Sequence, residues 1–266
     1  MVIRKTIHMK ILQRDREIMI YLPDDYETSG KRYPVMYIND GQNAFYDQAA
    51  YSGVSWGFLE YVEESRQDLI MVAIPCNFEP WKREDEYGPW VTDKFITIME
   101  TGRPYPRLGG EGKSYVKFLR TELKPYIDKH YPTDPQDTAI VGSSAGANIA
   151  AFAALRYPSV FPKCAALSTA FWYYPRQFES LIKKADLSDL SCFYFDIGSN
   201  EGCGNNLVSN LYKYDNERIL ELLQRKGIED RVHYRVYEGA IHSEFEWRKR
   251  VPVFMELFYG DYREKD

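Results

Sequence analysis

The chain has 266 residues, 44% of them apolar, enough to bury a sizeable core in one domain spanning residues 1–266. Its 34 basic and 39 acidic side chains leave a formal net charge of −5 without any run of like charge, which argues against a nucleic-acid or anionic-membrane partner. No charged start leads into an apolar stretch and no apolar run is long enough to cross a bilayer, so a cytoplasmic protein without membrane attachment is expected.

In chain order, Val2–Leu12 and Glu17–Leu22 are β-branched and alternating, predicting two antiparallel strands with a turn around Arg14 and Asp15. Tyr33–Ile38 and Leu69–Ile74 predict two more strands, the second stopped by Pro75. The helical pattern of Ser55–Glu64 between them makes a strand, helix, strand unit that points to a parallel sheet. Asn77–Lys113 breaks the alternation. It is rich in proline, glycine and aromatic residues, among them Trp81, Tyr87, Trp90 and Tyr105. It leaves the C-terminal end of a parallel strand, the edge where open α/β sheets bind ligands, and is expected to be either a lid or pocket wall, with Trp90 against substrate, or a surface excursion. Ser114–Tyr131 predicts an amphipathic helix that Pro125 must break or kink.

Thr138–Val141 is a short apolar strand leading into Gly142-Ser143-Ser144-Ala145-Gly146 and an alanine-rich helical run to Tyr157. A serine with glycine two residues away on each side, set between strand and helix, is the signature of a nucleophile elbow, and Ser144 rather than Ser143 meets it. A side chain at Gly142 or Gly146 would collide with the neighbouring strand or helix where the backbone reverses. The helix N-terminus beneath Ser144 favours negative charge there. Ala147, Ala150, Ala151, Ala153 and Ala154 let that helix lie close against the sheet.

Further strands are predicted at Cys164–Leu167, Cys192–Ile197 and Val232–Tyr237, with helices at Phe178–Lys184 and Leu207–Lys226. The last helix, Glu244 to about Tyr259, opens on a capping box of Ser243 and Glu246. Cys76, Cys164, Cys192 and Cys203 lack C-x-x-C spacing and read as free thiols, mostly buried. No cluster of His, Asp or Glu has ligand spacing, so neither metal nor cofactor is expected.

Ser144 needs a base. His8, His130 and His233 lie within strands or near a helix end and read as structural or solvated, whereas His242 follows a strand and a Glu238-Gly239-Ala240 turn, on a loop at the edge that carries Ser144. The acid that orients it should fall between serine and histidine in the chain. Asp196, inside a strand, and Glu201, in the Gly198–Gly202 loop beyond it, both qualify. A strand-interior carboxylate is costly unless paired, which favours Glu201. For the oxyanion hole, the backbone N–H of Ala145 and one from the Asp40-Gly41-Gln42-Asn43 loop, assigned to Gln42, would each contribute about 3–4 kcal/mol to transition-state stabilisation.

Several segments together resemble a family over nearly the whole chain: Tyr33–Phe45 (YPVMYINDGQNAF), Asp85–Trp90 (DEYGPW), Gly109–Gly112 (GGEG), Leu123–Asp128 (LKPYID), Gly142–Gly146 (GSSAG) and Asp196–Gly202 (DIGSNEG). They are similar to the Putative esterase family of α/β hydrolases, with esterase D, enterobactin esterases, feruloyl esterase modules and mycolyltransferases. The resemblance implies a carboxylesterase or acyltransferase with a Ser, Asp/Glu, His triad. Ser144 matches the family serine, His242 the late histidine and Glu201 the acid position, where many relatives carry aspartate.

The combined expectation is an α/β-hydrolase fold: a mostly parallel central sheet with helices on both faces, antiparallel N-terminal strands and no large cap domain. The expected function is a serine carboxylesterase acting on a small or sugar-linked ester through an acyl-enzyme. One alternative is an acyltransferase whose acceptor site is walled by Phe171 and Trp172. The other is a non-catalytic glycan- or partner-binding module built on the aromatic loop.

Overall fold

The structure is a computed structural model that describes residues 1–99 and 107–260. Its strands are β1 (Val2–Met9), β2 (Arg14–Tyr21), β3 (Tyr33–Asn39), β4 (Ile70–Ile74), β5 (Val91–Thr92), β6 (Leu108–Gly109), β7 (Thr133–Ser143), β8 (Lys163–Leu167), β9 (Cys192–Asn200) and β10 (Val232–Ile241). The helices are α1 (Phe58–Ser65), α2 (Lys82–Tyr87), α3 (Lys94–Met99), α4 (Gly112–Phe118), α5 (Lys124–His130), α6 (Ala145–Arg156), α7 (Pro175–Lys184), α8 (Asn206–Gln224), α9 (Glu244–Arg248) and α10 (Val251–Tyr259).

Strands β5 and β6 form a short antiparallel ribbon, and the other eight form one sheet in the order β1-β2-β4-β3-β7-β8-β9-β10. The β1–β2 and β2–β4 pairs are antiparallel and every pair from β4 to β10 is parallel. Both faces of the parallel part are covered, which is why its strands read as unbroken apolar runs. Because side chains alternate across a strand, Tyr37, Val72 and Ile140 pack with Phe118 of α4, Leu155 of α6 and Leu222 of α8. Met36, Met71 and Val141 face the other way, toward Val62 of α1 and Phe254 of α10. Cys76, Cys164 and Cys192 are buried free thiols, and Cys203 is exposed. Among the described residues no helix is long and apolar enough to cross a membrane.

Four local expectations change. The β1–β2 turn lies at 10–13, ahead of Arg14, because Gln13 takes a left-handed conformation (φ 52°) and Arg14 already pairs with Met9. Helix α4 does not break at Pro125. A wide π-type turn at Leu119–Leu123 hands the chain to α5, whose first turn holds the proline, where a missing N–H costs little. The expected Glu238-Gly239-Ala240 turn is a bulge within β10, with Gly239 at φ 73°. The last helix is two helices, because Pro252 in the first turn of α10 has no N–H to continue the ladder; Arg250, between the two, is 1% exposed and pairs with Asp196.

The 77–113 segment is tied to the sheet through Glu86 of α2, which is fully buried and accepts Arg14 Nη2 at 2.9 Å and Arg16 Nη2 at 2.8 Å. Tyr105 and the rest of residues 100–106 lie outside the described residues.

Candidate active site

Ser144 joins β7 to α6 with φ 56° and ψ −120°, a conformation that costs a non-glycine residue about 1–3 kcal/mol and marks functional turns. Its N–H donates to Leu167 O of β8 at 2.9 Å. The flanking glycines are a steric necessity: a Cβ on Gly142 would meet Gly146 O at 2.1 Å, and one on Gly146 would meet Asp40 Oδ2 at 2.7 Å. Alanines 147, 150, 151, 153 and 154 are fully buried, and α6 packs on β7 and β8. Ala145 is the first residue of α6, so its N–H has no acceptor within the helix.

The loop after β3 is pressed against β4, where a Cβ on Gly41 would lie 2.2 Å from Ile74 N. Gln42 sits in the single 3-10 turn Gly41–Asn43, too early in it for its N–H to find an acceptor within the turn. The Gln42 side chain is engaged, Oε1 accepting the Cys76 N–H at 3.1 Å. Asp40, itself at φ 53°, is held by a two-pronged pair with Arg83 of α2, Nε to Oδ1 and Nη2 to Oδ2, both 2.7 Å. Burial works against the charge on Arg83, and the Asp40 carboxylate beside it more than compensates, holding the guanidinium's pKa well above its usual value. The Asp40 N–H donates to Tyr87 OH at 2.8 Å, which fixes the same loop from another side.

Ser144, Gln42 and His242 line a common cleft of about 600 Å3, with Tyr51, Phe78, Trp81, Arg83 and Trp247. His242 Nδ1 lies 2.6 Å from Glu201 Oε2, and the imidazole packs edge-on against Trp247 with centroids 5.0 Å apart. The other Glu201 oxygen accepts Ser168 Oγ and the Gly198 N–H, each at 2.6 Å. Burial opposes ionisation of Glu201, yet His242, Ser168 and Gly198 together hold its pKa below the ordinary glutamate value. Ser168, at φ 47°, in turn accepts Trp247 Nε1 at 2.8 Å and Arg250 Nη1 at 3.1 Å.

Asp196 is turned elsewhere. It is fully buried and accepts Arg250 Nη1 at 2.7 Å, Tyr194 OH at 2.7 Å and the Ser168 N–H at 3.0 Å. Burial raises its pKa, with Arg250 and these hydrogen bonds opposing the rise. The other histidines stand apart: His8 pairs with Asp15 at 2.7 Å, His130 Nδ1 lies 2.7 Å from Tyr126 O, and His233 is in β10.

The three aromatic residues expected to touch substrate do not line this cleft. Phe171 has no exposed surface, packed at 4.8 Å on Phe178, so nothing in solution can reach it. Trp172 is 2% exposed and fills space between Tyr173 and Tyr212. Trp90 packs against Phe152, Tyr174 and Phe178 and borders a different cavity. Core packing took these rings. Tyr51, 89% exposed, and Phe78, 72% exposed, border the cleft instead. The position of Phe78 and Trp81 directly after the C-terminal end of β4 was a readable signal for them. The roles of Ser168, Trp247 and Arg250 around Glu201 had none in sequence.

The sheet order, the strand-to-helix turn at Ser144 and the edge that gathers these groups define an α/β hydrolase. The chain belongs to the Putative esterase family, whose model matches residues 9–255. The uncharacterized protein YbbA of Bacillus subtilis (strain 168) is 27% identical, with 94% of each chain covered. Among solved structures, an IroE-like serine hydrolase from Shewanella oneidensis is 21% identical with a TM-score of 0.69, over 99% of this chain and 79% of that one. A ferulic acid esterase is 18% identical with a TM-score of 0.67, over 97% of each chain. The enterobactin esterase FES from Shigella flexneri is 15% identical with a TM-score of 0.69, over 99% of this chain and 59% of that one. Family and fold together support ester hydrolysis as the chemistry.

Proposed function

We propose that the protein is a serine carboxylesterase in which Ser144, His242 and Glu201 form the triad. Glu201 Oε2 accepts the Nδ1 proton of His242, which leaves Nε2 as the base. Ser144 Oγ attacks the ester carbonyl carbon and gives its proton to Nε2. The carbonyl oxygen takes up the negative charge against the N–H groups of Ala145 and Gln42. Collapse breaks the ester C–O bond, the imidazolium protonates the departing alkoxide, and an acyl-Ser144 remains. Water, deprotonated by His242, then attacks the acyl carbon, releasing the acid and restoring Ser144.

The observation that carries this reading is the 2.6 Å His242–Glu201 contact at a cleft that Ser144 also lines from a left-handed turn. A cleft of about 600 Å3 suits a small or sugar-linked ester. Ser144→Ala is expected to lower turnover of p-nitrophenyl acetate by about 10⁴-fold or more with an unchanged circular dichroism spectrum. A fluorophosphonate should label wild-type protein at Ser144 and leave the variant unlabelled. Wild-type rates in the variant would overturn the assignment.

A further inference from the structure

A second cavity, of about 1010 Å3, lies away from Ser144, with Trp90 and Phe152 as apolar walls. Four cations line it: Lys113 of α4, Arg156 at the end of α6, and Arg176 and Lys184 of α7. None of the four has a carboxylate within ion-pair distance among the described residues. The lining also holds one carboxylate, Asp186, whose Oδ1 accepts the Ser188 N–H at 3.0 Å, against the four cations.

Beside the groove, Arg120 and Arg156 both stack on Tyr157, with their guanidinium carbons 4.8 and 5.1 Å from the ring centroid, and Arg120 Nε is buried without a hydrogen-bond partner. Two guanidiniums on one ring repel each other, and on a chain of net charge −5 such a gathering runs against the overall balance. An anion would relieve that repulsion. The half-buried indole of Trp90, with Lys113 Nζ 6.0 Å from its centroid, supplies a flat apolar rest beside the charge.

We propose that this groove binds a small organic anion, a carboxylate or phosphate carried on an aromatic or apolar body. The body rests on Trp90 and Phe152, and the anionic group sits among Arg156, Arg176 and Lys184. The arginine forks match the geometry of carboxylate and phosphate oxygens, and a concave cationic lining concentrates the field that attracts them.

Phenyl phosphate, benzoate, inorganic phosphate and benzyl alcohol are to be titrated calorimetrically into Ser144→Ala protein and into the same protein carrying Arg176→Glu and Lys184→Glu. Both reversed residues are exposed, so the fold is retained, which circular dichroism checks. The expected result is saturable binding of phenyl phosphate and benzoate, at least about tenfold weaker after charge reversal and weakened by salt at about 0.5 M. Benzyl alcohol should not bind. Absence of binding at millimolar phenyl phosphate overturns the proposal, as does affinity untouched by charge reversal. Inorganic phosphate binding as tightly as phenyl phosphate overturns the part assigned to Trp90 and Phe152.

Discussion

Ser168 Oγ stands 2.6 Å from Glu201 Oε1, and the direction of that hydrogen bond is dictated by its neighbours. Trp247 Nε1 and the Arg250 guanidinium can only donate, and both contact the same oxygen, at 2.8 and 3.1 Å. The single Ser168 proton is therefore left for Glu201.

Removing that donor should act on chemistry more than on binding. Ser168→Ala leaves a buried carboxylate one hydrogen bond short and leaves Trp247 and Arg250 without their shared acceptor. We expect kcat to fall about tenfold with KM little changed, and stability to fall by about 1–3 kcal/mol. Since the lost bond favours ionised Glu201, the acid-side fall in activity should begin at higher pH than in the wild type. Ser168→Thr keeps the hydroxyl and should restore the acid limb, while its β-branched side chain at φ 47° in a fully buried position should leave stability below the wild type. Steady-state rates across pH and thermal melts of the three proteins test this; an unshifted acid limb in Ser168→Ala would show that Ser168 only packs.

The two elbow glycines should fail differently. Gly142→Ala drives a methyl into backbone at 2.1 Å and is expected to prevent soluble folding or to cost more than about 3 kcal/mol. In Gly146→Ala the clash is with the Asp40 carboxylate at 2.7 Å, a side chain that can shift only by disturbing its pairing with Arg83. That variant should fold and lose activity. Denaturant titration beside ester turnover separates the two; equal stability losses would contradict the distinction.

Asp215 of α8 offers a test by pH. Burial pushes its carboxyl up to about 6, against a weaker opposing pull from Lys94. Since the pKa is raised on folding, the folded state holds a proton that the unfolded chain releases from about 3.8 upward. Stability from this group is complete below that value and declines as pH rises through about 6. Asp215→Asn should therefore stabilise the protein at pH 8 by about 1–2 kcal/mol, partial solvation keeping the gain modest, and give no gain at pH 4. Urea titrations at the two pH values measure it.

Charge around the cleft should sort substrates. Asp40, Glu79, Glu84 and Glu244 line it against one guanidinium, Arg83, whose Nε and Nη2 are committed to Asp40 and whose Nη1 lies 3.6 Å from Glu84 Oε1. An ester with an anionic acyl group should have kcat/KM about tenfold below its neutral isostere at low salt. Glu79→Gln with Glu244→Gln should narrow the gap. A matched pair of such esters, assayed at two ionic strengths, decides it.

What could be read in the chain follows from how local each cause is. The Ser144 turn depends on glycines two residues away, and the capping contact from Glu246 N–H to Ser243 Oγ, at 3.4 Å, on a residue three positions on. The parallel strands announced themselves as buried runs for the same reason. Asp196 and Glu201 were harder to separate, because what distinguishes them is Arg250, which reaches one of them from across the fold. Phe171 and Trp90 carry equal promise as pocket walls in sequence. Which rings face water depends on how α6, α7 and α8 pack, and no spacing rule contains that. The split of the last helix falls at Arg250, whose side chain reaches a partner far back in the chain, and at Pro252, which has no N–H for the helical ladder.

The inward turn of Arg250 also has a bearing on when the protein becomes able to act. Ser144 and its helix leave the ribosome long before the residues that surround Glu201 are complete, and His242, Trp247 and Arg250 follow later still. A nascent or prematurely terminated chain thus holds an unassisted serine and an Asp196 without its cation. Competence should arrive only once Arg250 has emerged, and stop codons just before residue 250 should yield chains that are both inactive and unstable, which staged translation products would reveal.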